Sequence, residues 1–393
     1  MRTYRQLFRT PEFTPLFVGA SAQVAASTVA GLALGSLVYV STGSPLLSAL
    51  SMFGPSFAQV AGAMVFLSTA DRVPPRAILT ALAAMFGVGT LVMALPGMPV
   101  WGMFAVIFAM GLVQAAGSGV RWGLLSEILP EGGYILGRSV FNMSVGVMQI
   151  AGYGLGGTLV ALLSPRAALF VAAGLDLLAA AVVRFGLTRQ PPRATGRPSV
   201  RETWRGNARL WASPERRRVY VALWVPNGLV VGCEALFIPY APDAAGVLFM
   251  AAAFGMLAGD TLVGRFLPQR WRVRLTTPLR VLLAVPYLLF VLPIPLPVAA
   301  VAAAVASAGF GAGLLLQDRL IALTPDDLRG QALGLHSSGM MTMQAVGAAV
   351  AGLVAQHLAV GAAMSVMAVL SLLTTTSLVP RRAKAAALAG APD

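Results

Sequence analysis

Apolar stretches of about 20 residues recur from one end of the chain to the other. A run of that length can cross the hydrocarbon core of a bilayer, roughly 30 Å thick, as an α-helix. Only 11% of the 393 residues are charged, whereas typical soluble domains carry about 25%. The pattern therefore predicts an all-α integral membrane protein with twelve transmembrane helices. The predicted helical segments are 14–40, 45–68, 77–97, 99–125, 136–164, 166–186, 219–240, 244–268, 275–295, 298–322, 331–357 and 359–379.

Arginine residues crowd alternate connections between these segments. The connections "STGS" and "PGMP" carry no charge, whereas arginines are concentrated near the start and in 72–76, 189–218, 270–274 and 381–384. Basic residues favour the cytoplasmic side of a membrane, so both termini are predicted to be cytoplasmic. The net charge of +14 is thereby explained by topology, and no nucleic-acid partner is predicted.

A basic stretch at 187–218 separates two predicted halves of six helices each, 1–186 and 219–393. A shift of 195 residues places Gln149 on Gln344, Gly152 on Gly347 and Gly157 on Gly352, at equivalent points of equivalent helices. These matches predict an internal repeat. In transporters built from paired halves, the halves enclose a site near the membrane midplane and rock around it.

The basic stretch itself has two possible structures. Val200, Trp204 and Trp211 would share one face of a helix, with arginines on another, as in an interfacial helix attracted to anionic lipid. A disordered basic linker is the alternative, and the sequence leaves both open.

The segment "LSTADRVPPR", 67–76, carries an acidic-basic pattern directly after the second predicted helix. Together with the twelve helices and the basic central loop, it resembles the Gly-x-x-x-Asp-Arg-x-Gly-Arg-Arg signature of the major facilitator superfamily. Asp71, Arg72 and Arg76 match the signature, whereas Leu67 and two prolines depart from it. The resemblance implies a cytoplasmic gating latch formed by the three matching residues. Alternatively, the arginines follow the topology rule and the acid neutralises one of them.

Two further motifs resemble those of exporters in this superfamily. The opening "LFRTPEFTPLFVGASAQ" is similar to bacterial members that export siderophores and drugs, which implies a bacterial cytoplasmic (inner) membrane location. "GYGLGG" resembles a Gly-Pro-x-x-Gly-Gly signature of proton antiporters, although ordinary helix packing requires the same small residues. The predicted helix-packing glycines are Gly152, Gly154, Gly156, Gly157, Gly347 and Gly352.

Ionisable residues inside the predicted helices are costly in a membrane and usually face a cavity or a partner. Six were identified: Arg121, Asp176, Glu234, Asp260, Asp318 and Arg319. At about 1.5 Å per residue, Asp176 and Glu234 lie deepest, and the others fall toward cytoplasmic helix ends.

Glu234, Asp176 and Arg121 are the candidates for proton coupling. A carboxylate withdrawn from water can hold or release a proton as its surroundings change. Arg121 resembles a helix 4 arginine that the family uses in proton coupling. The alternatives are a structural carboxylate at Glu234, a position outside the cavity for Asp176, and a simple topology arginine at 121.

The resemblance also implies that helices 1, 4, 7 and 10 line a central cavity. Asn227 and Glu234 are seven residues apart and share a helical face, as do Gln114 and Arg121. The cavity-lining candidates are Gln23, Gln114, Gln149, Asn227, Gln317, Asp318 and Gln344.

Several other kinds of site are disfavoured by the sequence. Cys233 stands alone, and His336 and His357 lie near opposite ends of one predicted helix, so no disulfide or metal site is predicted. There is no phosphate-binding loop and no nucleophile-base set, so neither a cofactor nor an enzyme activity is expected.

The predicted function is secondary active transport, as a monomer, with a small amphipathic or cationic compound exported in exchange for protons. Uptake or facilitated diffusion of a small solute is the alternative within transport. A non-transporting membrane sensor or scaffold with the same fold is the alternative from another class.

Overall fold

The computed structural model describes residues 4–70, 74–129, 133–188 and 200–378. Within these ranges all regular structure is helical. The described residues form two compact units. The first unit comprises Met1–Pro198 and Phe237–Phe254, and the second comprises Ser199–Leu236 and Gly255–Asp393.

Seventeen α-helices follow one another along the described chain. They are α1 (Tyr4–Phe8), α2 (Phe13–Thr42), α3 (Pro45–Phe53), α4 (Pro55–Ala70), α5 (Pro75–Ala94), α6 (Val100–Ile128), α7 (Tyr134–Leu162), α8 (Pro165–Gly186), α9 (Val200–Ala212), α10 (Pro214–Ala235), α11 (Phe237–Tyr240), α12 (Ala245–Thr261), α13 (Gln269–Ala284), α14 (Leu296–Ala308), α15 (Ala312–Ala322), α16 (Arg329–Val354) and α17 (Val360–Ser377). A π-helical turn covers Leu262–Phe266, and 3₁₀ segments cover Val285–Val291, Gly309–Gly311 and Asp326–Leu328.

Ten helical segments in the described ranges are long and apolar enough to span a membrane. All twelve segments predicted from the sequence lie in helices, but two of them are not among these ten. Segment 45–68 is divided at Gly54 between α3 and α4. Segment 99–125 corresponds to α6, in which a shorter apolar stretch, Val100–Gln114, is found. The chain is thus a multi-pass membrane protein, and the count of twelve stays a prediction.

Serine-proline pairs start three of the helices, α3, α8 and α10. Proline suits the first helical position because its missing N–H would have no partner there, and the preceding serine caps a free amide. The serine hydroxyls accept from the backbone N–H groups three residues later, in the pairs Ser44 with Leu47, Ser164 with Ala167 and Ser213 with Arg216.

Glycines of α7 pack this helix in the first unit. A Cβ atom at Gly152 would lie 2.8 Å from a side-chain carbon of Thr28 in α2, and one at Gly157 would lie 2.8 Å from the Cα atom of Gly246 in α12. Such distances leave no room for a side chain, so the helices pack closely at both positions, and at Gly157 backbone meets backbone.

The second unit has a still closer contact, between α10 and α16. A Cβ atom at Gly347 would lie 1.8 Å from the carbonyl oxygen of Gly228. Nearby, the Tyr220 hydroxyl donates to the Ala332 carbonyl at 3.2 Å, and Trp224 Nε1 donates to the His336 carbonyl at 3.0 Å. These contacts fix α10 and α16 against each other along much of their length.

Helix α9, which lies within the basic stretch, packs against other helices of the second unit. Leu210 is fully buried in a cluster with Leu328 and Ala332, and Trp211 stacks on Trp224 with 5.7 Å between ring centroids. Arg216 caps the C-terminal ends of two helices. Its guanidinium donates to the carbonyls of Arg209 and Leu210 in α9 and of Leu323 after α15. A cation at helix C-termini is also favoured by the helix dipole.

The contact between α10 and α16 leads to a first prediction. Gly347→Ala should force the two helices apart, because the added methyl group overlaps the Gly228 carbonyl, and overpacking of this kind costs about 1–3 kcal/mol. We expect a fall of several degrees in the Tm of the detergent-purified protein. Gly334→Ala is the matched control, since a Cβ atom at this α16 position meets nothing within 4 Å. Equal Tm values for the two variants would contradict the close contact.

Candidate functional site

Glu234 lies in the last turn of α10, where its half-buried carboxylate is held by two hydroxyl groups. Its Oε1 atom accepts a hydrogen bond from Ser307 Oγ at 3.0 Å and one from the Tyr287 hydroxyl at 3.4 Å. Both donors are 0% exposed. Within the described residues Glu234 forms no ion pair. The charge of this carboxylate is therefore balanced by neutral donors and not by a cation.

The three residues of this site come from three places where an α-helix breaks. Helix α10 ends at Ala235, α13 passes into a 3₁₀ segment at Val285, and α14 ends one residue after Ser307. Proline accounts for two of the breaks. In a continuous helix the ring of Pro239 would clash with the carbonyl of Ala235, and Pro286 has no N–H to donate to the carbonyl of Leu282.

Serine hydroxyls of helix α17 donate to backbone carbonyls of the 3₁₀ segment and of α10. Ser365 Oγ donates to the carbonyls of Tyr287 and Leu288 at 3.3 and 3.4 Å, and Ser371 Oγ donates to the Pro226 carbonyl at 3.3 Å. Broken helices are tolerated at membrane depth when neighbouring side chains pair the freed groups in this way.

Two further predicted cavity residues meet in the second unit. Gln344 Nε2 donates to Asn227 Oδ1 at 3.1 Å, which links α16 to α10 two turns before Glu234. Gln317 is half-buried. Asp318 is exposed and pairs with Arg272, with 2.9 Å between its Oδ2 and Nη1 of the arginine. It thus lies in a surface ion pair at the end of α15.

The first unit contains a cavity of about 80 Å³ between α2, α4, α5, α6 and α8. Four polar side chains line it: Gln23, Gln59, Gln114 and Arg121. Arg121 Nη2 donates to Gln23 Oε1 at 2.5 Å. The structure therefore brings three sequence-predicted residues to one cavity, and adds Gln59, which the sequence analysis did not identify.

Asp176 lies on the face of α8 that borders this cavity. Ala179 and Val183, three and seven residues farther along α8, line the cavity. The side chain of Asp176 is only 4% exposed, and within the described residues it forms no hydrogen bond or ion pair. Gln149 in α7 is half-buried, and its Oε1 atom has no hydrogen-bond partner in the described part of the chain.

The predicted gating latch lies partly outside the described residues. Asp71 and Arg72 fall in the gap at 71–73, and Arg76 is half-buried in the first turn of α5. The latch stays a prediction.

Sequence reasoning missed one buried charge. Arg280 in α13 is 5% exposed, and its Nε and Nη2 atoms have no hydrogen-bond partner among the described residues. It stands within predicted segment 275–295, so a complete list of ionisable residues in that segment would have included it. Tyr287 and Ser307 carried no comparable signal, because hydroxyl groups are common in apolar helices.

No group of three or more histidine, cysteine, aspartate or glutamate residues able to hold a metal occurs in the ranges that the structure describes.

Comparisons with known proteins point to one family. The sequence model described as Major Facilitator Superfamily matches residues 16–317. Comparison with curated protein sequences gave no match.

Three solved structures illustrate the similarity of fold. A POT family transporter in complex with a thioalcohol-conjugated peptide has a TM-score of 0.75 at 12% identity, covering 93% of this chain and 95% of its own. A bacterial homolog of the human lysosomal transporter Spinster, in an inward-facing and unoccupied conformation, gives 0.71 at 15% identity and covers 96% and 95%. A mutant of the nucleoside transporter NupG gives 0.69 at 12% identity and covers 93% and 98%. At these identities the likeness concerns the fold alone.

The hydroxyl groups at Glu234 give a second prediction. Ser307→Ala should lower the free energy of unfolding by about 1.5–3 kcal/mol, the range for a hydrogen bond to a charged group. Tyr287→Phe should cost less, since its hydroxyl lies farther from Oε1. Thermal unfolding of the purified protein measures both. Ser377→Ala serves as control, because that exposed hydroxyl bonds only to the Thr374 carbonyl of its own helix. The reverse order of the two effects would contradict the geometry.

Proposed function

Since the chain belongs to the major facilitator superfamily, we propose that it is a secondary active transporter. It exports a small amphipathic or cationic compound by alternating access, in exchange for protons. The family and the solved transporters of the same fold indicate a transporter and not an enzyme. The observation that carries proton coupling is the Glu234 carboxylate, held by two fully buried hydroxyls where three helices break.

The physical basis of coupling is the change in charge at Glu234. As a carboxylate, Glu234 accepts hydrogen bonds from Ser307 and Tyr287. Protonation removes the charge that these donors stabilise, so it weakens the bonds that tie α10 to α13 and α14. Because each of these helices is already broken next to the site, a small change in bonding can alter the angle between the segments.

The other ionisable candidates support coupling less directly. Asp176 is buried without a partner in the described residues, and is the second candidate for a proton-carrying carboxyl. Arg121 lies in a cavity beside a neutral amide. The first test of the proposal is therefore at Glu234.

The proposal includes an arrangement in the membrane. Twelve helices form two halves, 1–186 and 219–393, joined by the basic segment 187–218, with both termini cytoplasmic in a bacterial inner membrane. The protein acts as a monomer, and Asp71, Arg72 and Arg76 form a gating latch. Support comes from the distribution of arginine residues and from the helical state of all twelve predicted segments.

Export in place of uptake is supported by the glycines of α7. Gly152 and Gly156 face α2, whereas Gly154 and Gly157 face α12. These glycines belong to the segment that is similar to the signature of exporting antiporters.

A transport assay tests the proposal. An efflux-deficient bacterium expressing the wild type should accumulate less of a fluorescent amphiphilic cation, such as ethidium, and a protonophore should abolish the difference. Glu234→Gln cannot release a proton at this site, so it should lose most of the proton-driven component while remaining folded in the membrane. Asp326→Asn is the control, since this carboxylate lies 86% exposed in a local pair with Arg329.

Each departure from this result has a defined meaning. Export by Glu234→Gln that depends on the proton gradient as steeply as wild-type export would exclude coupling through Glu234. Greater accumulation by the wild type would favour uptake. A lack of flux for a whole panel of amphiphiles, combined with loss of signalling to a partner on substitution of cavity residues, would favour a sensor.

A further inference from the structure

The cavity in the first unit is lined by polar groups that can all donate hydrogen bonds. The guanidinium of Arg121 has five N–H donors, and each amide of Gln23, Gln59 and Gln114 has two. The remaining described lining residues are apolar or glycine, and none of them is acidic. A cavity with many donors and no acid in its described lining is suited to an anion.

Among the described residues, no acidic side chain pairs with Arg121. Arginine stays protonated in proteins, and the partner of Arg121 in the described structure is the neutral amide oxygen of Gln23. Asp176 lies one turn before Ala179 on α8, outside the cavity lining, and it forms no ion pair with described residues. A guanidinium withdrawn from bulk water without a counter-charge is costly, and a bound anion would remove that cost.

Gln59 is half-buried and Gln114 is exposed, and neither amide has a protein hydrogen-bond partner within the described ranges. They reach the cavity from α4 and α6, while Gln23 reaches it from α2. The cavity thus presents donors from three helices, so a bound anion could accept hydrogen bonds from more than one side.

The size of the cavity limits its ligand. A volume of about 80 Å³ holds several waters or one small ion, whereas sites for drug-sized ligands are usually about 300–1,000 Å³. The occupant is therefore smaller than the exported compound.

We propose that this cavity binds a small monovalent anion, such as chloride or a short carboxylate, between Arg121 and the amides of Gln59 and Gln114. The anion binds in the first unit and differs from the exported compound, so the inference goes beyond the proposed transport function. It also assigns to Arg121 a role in binding an anion.

The test is anion-dependent stability of the full-length protein, purified in detergent. Thermal unfolding is measured at constant ionic strength in sodium chloride, sodium acetate and sodium gluconate, whose anion is too large for the cavity. A ligand that binds only the folded state raises Tm as its concentration rises. We expect a Tm several degrees higher in chloride or acetate than in gluconate. A response to chloride alone identifies a halide site, and a response to acetate alone identifies a carboxylate site.

Variants connect the response to the cavity. Arg121→Gln should abolish the difference between salts, and Arg121→Lys should retain part of it, because lysine keeps the charge without the planar donor array. Gln59→Met leaves Arg121 in place. It should raise several-fold the anion concentration needed for the same increase in Tm. Arg319→Gln, at an exposed site of α15, should behave as the wild type.

Two results would overturn the proposal. One is an identical wild-type Tm in all three salts, and the other is an undiminished anion response in both Arg121→Gln and Gln59→Met. If Arg121→Gln cannot be purified folded, Gln59→Met decides. Because binding is measured without transport, failure here leaves export through Glu234 standing, and absence of export leaves the anion site testable.

Discussion

Backbone groups inside a bilayer must find partners within the protein, and the second unit depends on how it meets this constraint where its helices break. Serine hydroxyls of α17 donate to carbonyls of the 3₁₀ segment Val285–Val291 and to the carbonyl of Pro226 in α10. These bonds hold α17 against the 3₁₀ segment that carries Tyr287 to the carboxylate of Glu234. The polar site therefore rests on the pairing of backbone groups by a helix that contributes none of its three side chains.

Close packing of small residues provides a second condition. Gly228 and Gly347 let α10 and α16 approach until their backbones touch. The neighbouring Asn227 and Gln344 are then near enough for their amides to bond. A side chain at either glycine would separate the helices and with them the two amides, so the packing glycines and the predicted cavity residues belong to one arrangement.

The sequence predicted the helices well because hydropathy over some 20 residues is a local property. It did not predict the divisions within them, such as those at Gly54 and Leu236, whose effect depends on which neighbours can pair the freed backbone groups. The spacing of Asn227 and Glu234 was readable from the helical period. The partners of Glu234 were not, since Tyr287 and Ser307 lie 53 and 73 residues away along the chain.

Contacts between helices that are far apart in the sequence also determine where charged residues lie. Asp318 was expected in a cavity, but it is exposed beside Arg272, from which it is separated by 46 residues. Pairing of Gln23 with Arg121 likewise joins positions 98 residues apart. Depth along a helix can be counted from the sequence, whereas the direction in which a side chain meets a partner depends on the packing of other helices.

Glu234 in the second unit and Arg121 in the first unit differ in how their charge can change. Glu234 can change charge with one proton, and its two partners are neutral hydroxyl groups and not a cation. Arg121 keeps its charge at any physiological pH, so its surroundings can change only through what lies beside it. A proton can therefore change the charge of Glu234, whereas the charge of Arg121 can be balanced by an anion bound beside it. This difference in chemistry is consistent with the proposed coupling in the second unit and the proposed anion binding in the first.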